Sequence, residues 1–278
     1  MNVAEFTPIV LAAAILAGFL GSLTGLGGGV IVTPVLTLFL GVDLRYAIGA
    51  SLVSVIATSS GAAAAYVRDG YSNIRIGMFL EIATTLGAVF GAFLGAHIST
   101  SILSIIFGLI LLHAAWSTSR DHKNEKKPMP PDPLAETLKL NSSYTTPSGV
   151  EAYDVHHVKT GFGLMFGAGV VSGLLGIGSG SLKVIAMDQA MRIPFKVSTA
   201  TSNFMIGVTA AASASIYLSR GYVHPAIAMP VMLGVLAGSL IGARLLPQLS
   251  VRLLRRVFAV VVGIMAIEMI YNGAKGHI

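Results

Sequence analysis

The sequence predicts an all-α polytopic membrane protein made of two inverted repeats of about five helical elements each, with a glycine-broken or re-entrant first hairpin in each repeat. Three observations carry that expectation. Hydrophobic residues make up 54% of the chain and charged residues only 11%, against roughly 25% charged in a soluble domain. The run Gly21-Ser-Leu-Thr-Gly25-Leu-Gly27-Gly28-Gly29 returns 151 residues later as Ser172-Gly-Leu-Leu-Gly176-Ile-Gly178-Ser-Gly180. The basic residues, finally, collect on one side of the membrane only if each glycine break is a turn.

In the first repeat the elements span 7–24, 28–40, 47–67, 76–96 and 101–118; in the second they span 159–175, 179–191, 198–218, 227–246 and 254–272. The longer ones approach the ~20 apolar residues that cross a hydrocarbon core. Alternating barrel-like patterning is absent, so the spans are helices. Segments 28–40 and 179–191 are short for full crossings and read as re-entrant arms, buried in protein or lining a wet cavity.

The 151-residue register also aligns Ser51 with Ser202, Tyr66 with Tyr217, Gly70-Tyr71 with Gly221-Tyr222, and Gly91-Ala92 with Gly242-Ala243. Five elements per repeat make the copies inverted and place fourteen of the 18 Lys and Arg on one face. Four elements would divide them ten against seven, hardly a bias. The five-element reading makes the 118–158 connection cytoplasmic and both termini extracytoplasmic in a multi-pass cell-membrane protein. Residues 1–118 form the first membrane repeat, 119–158 a polar, proline-interrupted linker, and 159–278 the second repeat.

Cysteine is absent, which removes disulfides and thiolate chemistry. No Lys-Ser or Lys-Thr follows the glycines at Walker spacing, and no βαβ context supports a Rossmann loop. The formal charge of +6 lies in loops and the linker, so membrane topology accounts for it without nucleic acid. No metal-ligand spacing, cofactor motif or nucleophile–base pair is present, and an enzyme is not expected.

Glycine allows an unwound turn next to a helix start, and the first N–H groups of that helix lack internal acceptors. Two such starts facing one another form an anion site, which makes Gly25, Gly27, Gly28 and Gly29 with Gly176, Gly178, Ser179 and Gly180 the candidate substrate turns. The glycines Gly87, Gly91 and Gly95, and Gly234, Gly238 and Gly242, at four-residue spacing, read instead as close helix packing. Lys183 stands where the first copy has Val32, and an ammonium at membrane depth needs an anion, water or a carboxylate. It is a substrate contact or the partner of Asp188. Ser51, Thr201, Ser202 and Asn203, at the start of the third elements, are candidate polar contacts. Glu81, isolated in the fourth element, is the first proton-coupling candidate and Asp188 the second.

The motif Gly21-x3-Gly25-Leu-Gly27-Gly28-Gly29-x4-Pro34 and its second copy resemble the TauE/SafE family of sulfite and organosulfonate exporters. The resemblance implies a transporter of small anions such as sulfite, sulfoacetate and other sulfonates, with anion contacts at Gly27–Gly29 and Gly178–Gly180. The expectation is therefore a proton-coupled secondary transporter that exports a small sulfur-containing anion by alternating access. Its partners are that anion, protons and the lipid bilayer. An anion channel or uniporter is the nearest alternative, and a non-transporting structural membrane protein the next.

Overall fold

The computed structural model describes residues 3–24, 29–68, 72–119, 132–146, 149–245 and 251–276. The first half contains α1 (Val3–Thr24), α2 (Gly29–Pro34), α3 (Leu44–Arg68), α4 (Ile74–Gly95) and α5 (Thr100–Ser119). A connector follows with α6 (Pro133–Thr137), β1 (Ser142–Thr146) and β2 (Gly149–Tyr153). The second half contains α7 (Val158–Leu175), α8 (Gly180–Ile185), α9 (Phe195–Ser219), α10 (Pro225–Leu245) and α11 (Val251–Lys275). Each expected long element coincides with a helix. Several helices begin before their apolar stretch because polar first turns extend them; Asn73, for example, caps α4 by accepting from the Ile76 N–H at 3.1 Å.

The short arms are compound. A π-helical turn, Val35–Phe39, prolongs α2, and another, Ala186–Ala190, prolongs α8. Both arms end alike: Val42 N donates to Leu36 O and Ile193 N to Met187 O, each at 3.0 Å. The reversal passes through Gly41 at φ 62° in the first arm and Arg192 at φ 59° in the second. All six residues of α2 are buried, as an irregular segment at membrane depth requires.

The heaviest packing joins the halves: α1 lies on α10, α4 on α7, α5 on α11 and α3 on α9. Small residues let the backbones meet. A Cβ on Gly91 would stand 2.1 Å from Val170 O, and one on Gly173 would stand 2.0 Å from Ala88 O. Gly238 meets Ile15 O as closely, 2.0 Å from an added Cβ, across the α1–α10 crossing. Gly87 and Gly234 also sit against backbone, so the four-residue glycine spacing is a packing device.

Outward faces stay apolar. Met78, Ile82, Leu86, Phe90 and Phe93 are exposed along α4, and Ile102, Leu109 and Trp116 along α5. Apolar stripes of this length on several helices exceed what a soluble monomer leaves to water. Among the described residues, Ile74–Gly95 and Val158–Leu175 are long and apolar enough to cross a membrane. The fold is helical and membrane-associated.

Within the stretch that the sequence marks as a linker, the described residues 132–146 and 149–157 are folded, and their antiparallel hairpin, pairing Ser142 with Tyr153, interrupts an otherwise helical protein. Ala135, Leu140 and Val155 are buried against Ile76 and Leu80 of α4 and Met187 and Met191 of the second arm. A few apolar residues in polar sequence suffice because the membrane half supplies an apolar floor. Asn73 Nδ2 donates to Tyr153 Oη at 2.8 Å and to Leu140 O at 3.2 Å. Asp132 ties the connector's ends together, Oδ1 accepting from Leu134 N and Oδ2 from Val158 N, both at 2.9 Å. The Val158 N–H, above all, holds the Asp132 carboxyl below its usual range.

Candidate functional site

The described glycine positions of the two halves meet at the centre. Gly29 opens α2 with its Cα turned toward α3 and the other motif; a Cβ there would lie 2.6 Å from Val55 Cγ2, 2.8 Å from Ser51 Oγ and 3.3 Å from Gly176 O. Ser51 joins the motifs directly, its hydroxyl lying 2.9 Å from Gly176 O and 3.2 Å from Gly29 O. The related bond in the second half runs from Ser202 Oγ to Gly180 O at 3.2 Å. Val55 and Ile206, equivalent under the same offset, close over Gly178. Gly25, Gly27 and Gly28 lie outside the described residues.

The second motif turns through left-handed backbone. Gly176 caps α7 at φ 66°, Gly178 follows at φ 70°, and Ser179 precedes α8 at φ 45°. Glycine adopts such angles freely, whereas a serine there is strained. Ser179 is also buried, and its Oγ has no protein partner. Its carbonyl accepts the Lys183 N–H at 3.1 Å, so Ser179 and Lys183 lie on one side of the arm.

Lys183 is fully buried (0% exposed). Its Nζ donates to Thr209 Oγ1 at 2.5 Å, and the Thr209 hydroxyl lies 2.7 Å from Glu81 Oε1. Thr85 Oγ1 donates to the same carboxylate oxygen at 2.9 Å. Glu81 is 8% exposed, and its Oε2 has no protein partner. The cluster thus joins α8, α9 and α4 in a cation–hydroxyl–carboxylate chain.

Of the two expectations for Lys183, a substrate contact or a partnership with Asp188, its hydrogen bond follows neither: the lysine is directed to Thr209, whose hydroxyl lies against Glu81. Residues five apart do not share a helix face, whereas a neighbouring helix can supply the partner. Asp188 itself is half-buried in the π-helical turn.

The remaining candidates separate. Thr201 Oγ1 accepts the Asn73 N–H at 3.0 Å, tying α9 to the start of α4. Asn203 Nδ2 donates to Thr199 O at 3.0 Å within its own helix. Neither contacts the glycine turns through these bonds. Thr209, absent from the sequence candidates, is the hub. Its signal was available: Thr209 falls on Thr58 in the 151-residue register, so a threonine recurs about two helical turns beyond each serine of the pair, on the same helix. The counterparts of Lys183 and Glu81 are Val32 and Met232, so the charged chain, which bridges the two halves, has no charged counterpart under the 151-residue offset. Among the described residues, no group of three His, Asp or Glu is placed to hold a metal ion.

A membrane-associated helical protein with a buried charge cluster beside a left-handed glycine turn has the organisation of a transporter rather than an enzyme. Residues 10–269 match the family described as sulfite exporter TauE/SafE, and the chain belongs to that family. It is 26% identical over 273 residues to the "Probable membrane transporter protein YunE" of Bacillus subtilis, covering 95% of this chain and 97% of the relative. A Xylella fastidiosa protein described as a "Probable membrane transporter protein" is 28% identical over 262 residues, covering 92% of both chains. A relative from Methanocaldococcus jannaschii bears a similar description at 26% identity over 278 residues, covering 95% of both. No solved structure matches. Family membership makes this chain a membrane transporter.

Proposed function

We propose that the protein is a secondary transporter exporting a small sulfur-containing anion (sulfite, sulfoacetate or another organosulfonate) with proton coupling. Two inverted repeats would rock about the paired glycine turns and expose the site alternately to the two sides. The observation that carries the reading is Lys183: a fully buried ammonium beside the Gly176–Gly180 turn, held by Thr209 and faced by Glu81. In a poorly hydrated site that cation is the strongest available attraction for an anion. Ser179 Oγ, buried without a partner, supplies a donor on the same side of the arm. Burial of Lys183 and Ser179, at 0% and 1% exposure, favours a carrier that must rearrange over a channel with a standing wet path.

The test is calorimetric binding of sulfite, sulfate, acetate, sulfoacetate and taurine to purified protein, repeated with Lys183→Met. Removing the cation should weaken anion binding at least about tenfold, the loss of one hydrogen bond to a charged group. Because the lone variant strands a buried carboxylate, Lys183→Met is also combined with Glu81→Gln, which restores a neutral site. Full affinity in a folded Lys183→Met protein would remove Lys183 from the anion site. Retained affinity in folded Gly178→Val or Gly180→Val would make the second turn a packing element.

A further inference from the structure

Glu81 and Lys183 carry opposite charges on either side of the neutral Thr209 hydroxyl in one buried region, and the geometry bears on how an anion is admitted. The inference rests on the anion-transport reading and specifies its coupling. We propose that Thr209 is the positioning residue of a charge exchange in which each univalent anion enters together with one proton, the anion on Lys183 and the proton on Glu81, so that the cycle is electroneutral.

Charge counting comes first. With Lys183 an ammonium and Glu81 a carboxylate, the empty site is neutral. Adding a univalent anion alone would leave one negative charge in a medium that screens poorly. Protonating Glu81 restores neutrality: ammonium, carboxylic acid and anion sum to zero. The arm that carries Lys183 also bears Asp188, half-buried in its π-helical turn, but the Lys183 ammonium is bonded toward Thr209 and Glu81. Apart from Glu81 itself, α4 bears no ionisable side chain between Arg75 and its end at Gly95; α7 bears none after Lys159, and α9 none between Lys196 and Tyr217. The positions related to the three by the 151-residue offset are Val32, Thr58 and Met232, so the repeat supplies no second copy of this charge pair.

Hydrogen bonding supplies the second argument. The Thr209 hydroxyl has one proton and two acceptors within reach, Glu81 Oε1 at 2.7 Å and Met205 O at 3.0 Å. While Glu81 is ionised, the proton turns to the carboxylate and the oxygen accepts from Lys183. When Glu81 is protonated, the Thr209 proton returns to Met205 O, and the Thr209 oxygen can accept from the carboxylic acid instead of the ammonium. Lys183 is then released to the anion. The exchange needs the proton on Oε1, the oxygen 2.7 Å from Thr209; Oε2 has no protein partner, so no second donor fixes the carboxyl against that arrangement. Thr85 holds Oε1 in either state.

Proteoliposomes loaded with a pH dye report the test, with methanesulfonate and hydrogensulfite as univalent probes under imposed pH and voltage gradients. The parent is expected to take up one proton per anion, without response to voltage. Thr209→Val keeps the volume and removes the hydroxyl; it should lose the pH dependence and lower proton-driven uptake about tenfold, the worth of a hydrogen bond to a charged group. Thr209→Ser should restore both, which a purely structural role for the methyl would not allow. Thr58→Val, at the uncharged counterpart, should keep the parental proton count. Parental proton stoichiometry in folded Thr209→Val, or voltage-driven uptake in the parent, overturns the exchange while leaving anion transport intact. A parent that moves no sulfur anion overturns the transport reading and the exchange together.

Discussion

The Ser51 hydroxyl lies 2.9 Å from the carbonyl oxygen of Gly176, 125 residues away, and so fastens the first half to the glycine turn of the second. It also serves Gly29 O at 3.2 Å. Ser51→Ala leaves two buried carbonyls short of a donor and should cost about 1–3 kcal/mol. Ser202→Ala loses only the Gly180 O contact and should cost less. Thermal unfolding in detergent compares them; equal midpoints for Ser51→Ala and the parent would deny the bridge any weight.

The α4–α7 crossing predicts a sharp contrast between two glycines of one helix. A Cβ at Gly173 would lie 2.0 Å from Ala88 O, whereas one at Gly167 meets nothing within 4 Å. Gly173→Ala should therefore separate the helices and reduce folded yield severely. Gly167→Ala should be neutral or slightly stabilising, since alanine is the better helix former. Size-exclusion profiles of the two variants decide the matter.

Ser179 holds left-handed backbone at φ 45° with a partnerless hydroxyl. Replacing it by glycine should relieve roughly 1–3 kcal/mol of strain and raise the unfolding temperature. The same change should weaken anion affinity, because it deletes the proposed donor. A more stable Ser179→Gly protein with undiminished affinity would leave the strain without a function.

The connector should loosen in acid. Hydrogen bonds to Val158 N and Leu134 N hold Asp132 below its ordinary value of 3.8. Its folded value is depressed, so its contribution is present above the unfolded value and is lost as pH falls from there through the folded one. The Val158 and Leu134 amides should stay protected from hydrogen exchange at pH 5 to 7 and open below about pH 4. Asp132→Ala should expose both amides at neutral pH. Unchanged protection in that variant would mean that buried Ala135, Leu140 and Val155 hold the segment unaided.

Topology is open to direct labelling. Single cysteines at Ser119 and Gly149 should resist an impermeant reagent in intact cells, whereas those at Asn2 and Lys275 should react. Labelling in the opposite sense would reverse the proposed orientation.

The long helices were legible because about twenty apolar residues between polar turns leave few alternatives, and the glycine crossings because small residues at four-residue spacing have one common use. Lys183 and Glu81 each stood out as charges in apolar sequence. Their partnership did not, since it depends on α4 meeting α9 in space, which no linear spacing encodes. Thr209 was hidden by its ordinariness: a threonine in a membrane helix usually bonds its own backbone, as Thr209 also does toward Met205 O at 3.0 Å. The hairpin at the connector's C-terminal end was not legible because its polar sequence reads as a tether, while the apolar floor beneath it belongs to other elements.

Interleaving of the halves bears on how the chain is made. The principal partners of α1, α3, α4 and α5 are α10, α9, α7 and α11, all synthesised later. The first half therefore leaves the ribosome with its glycine-lined faces unmatched and waits in the bilayer for its complement. Assembly governed by such distant pairings is slow and offers time for mispairing. A fragment ending near Ser119 should be inserted yet degraded, and co-expression of residues 120–278 should rescue it.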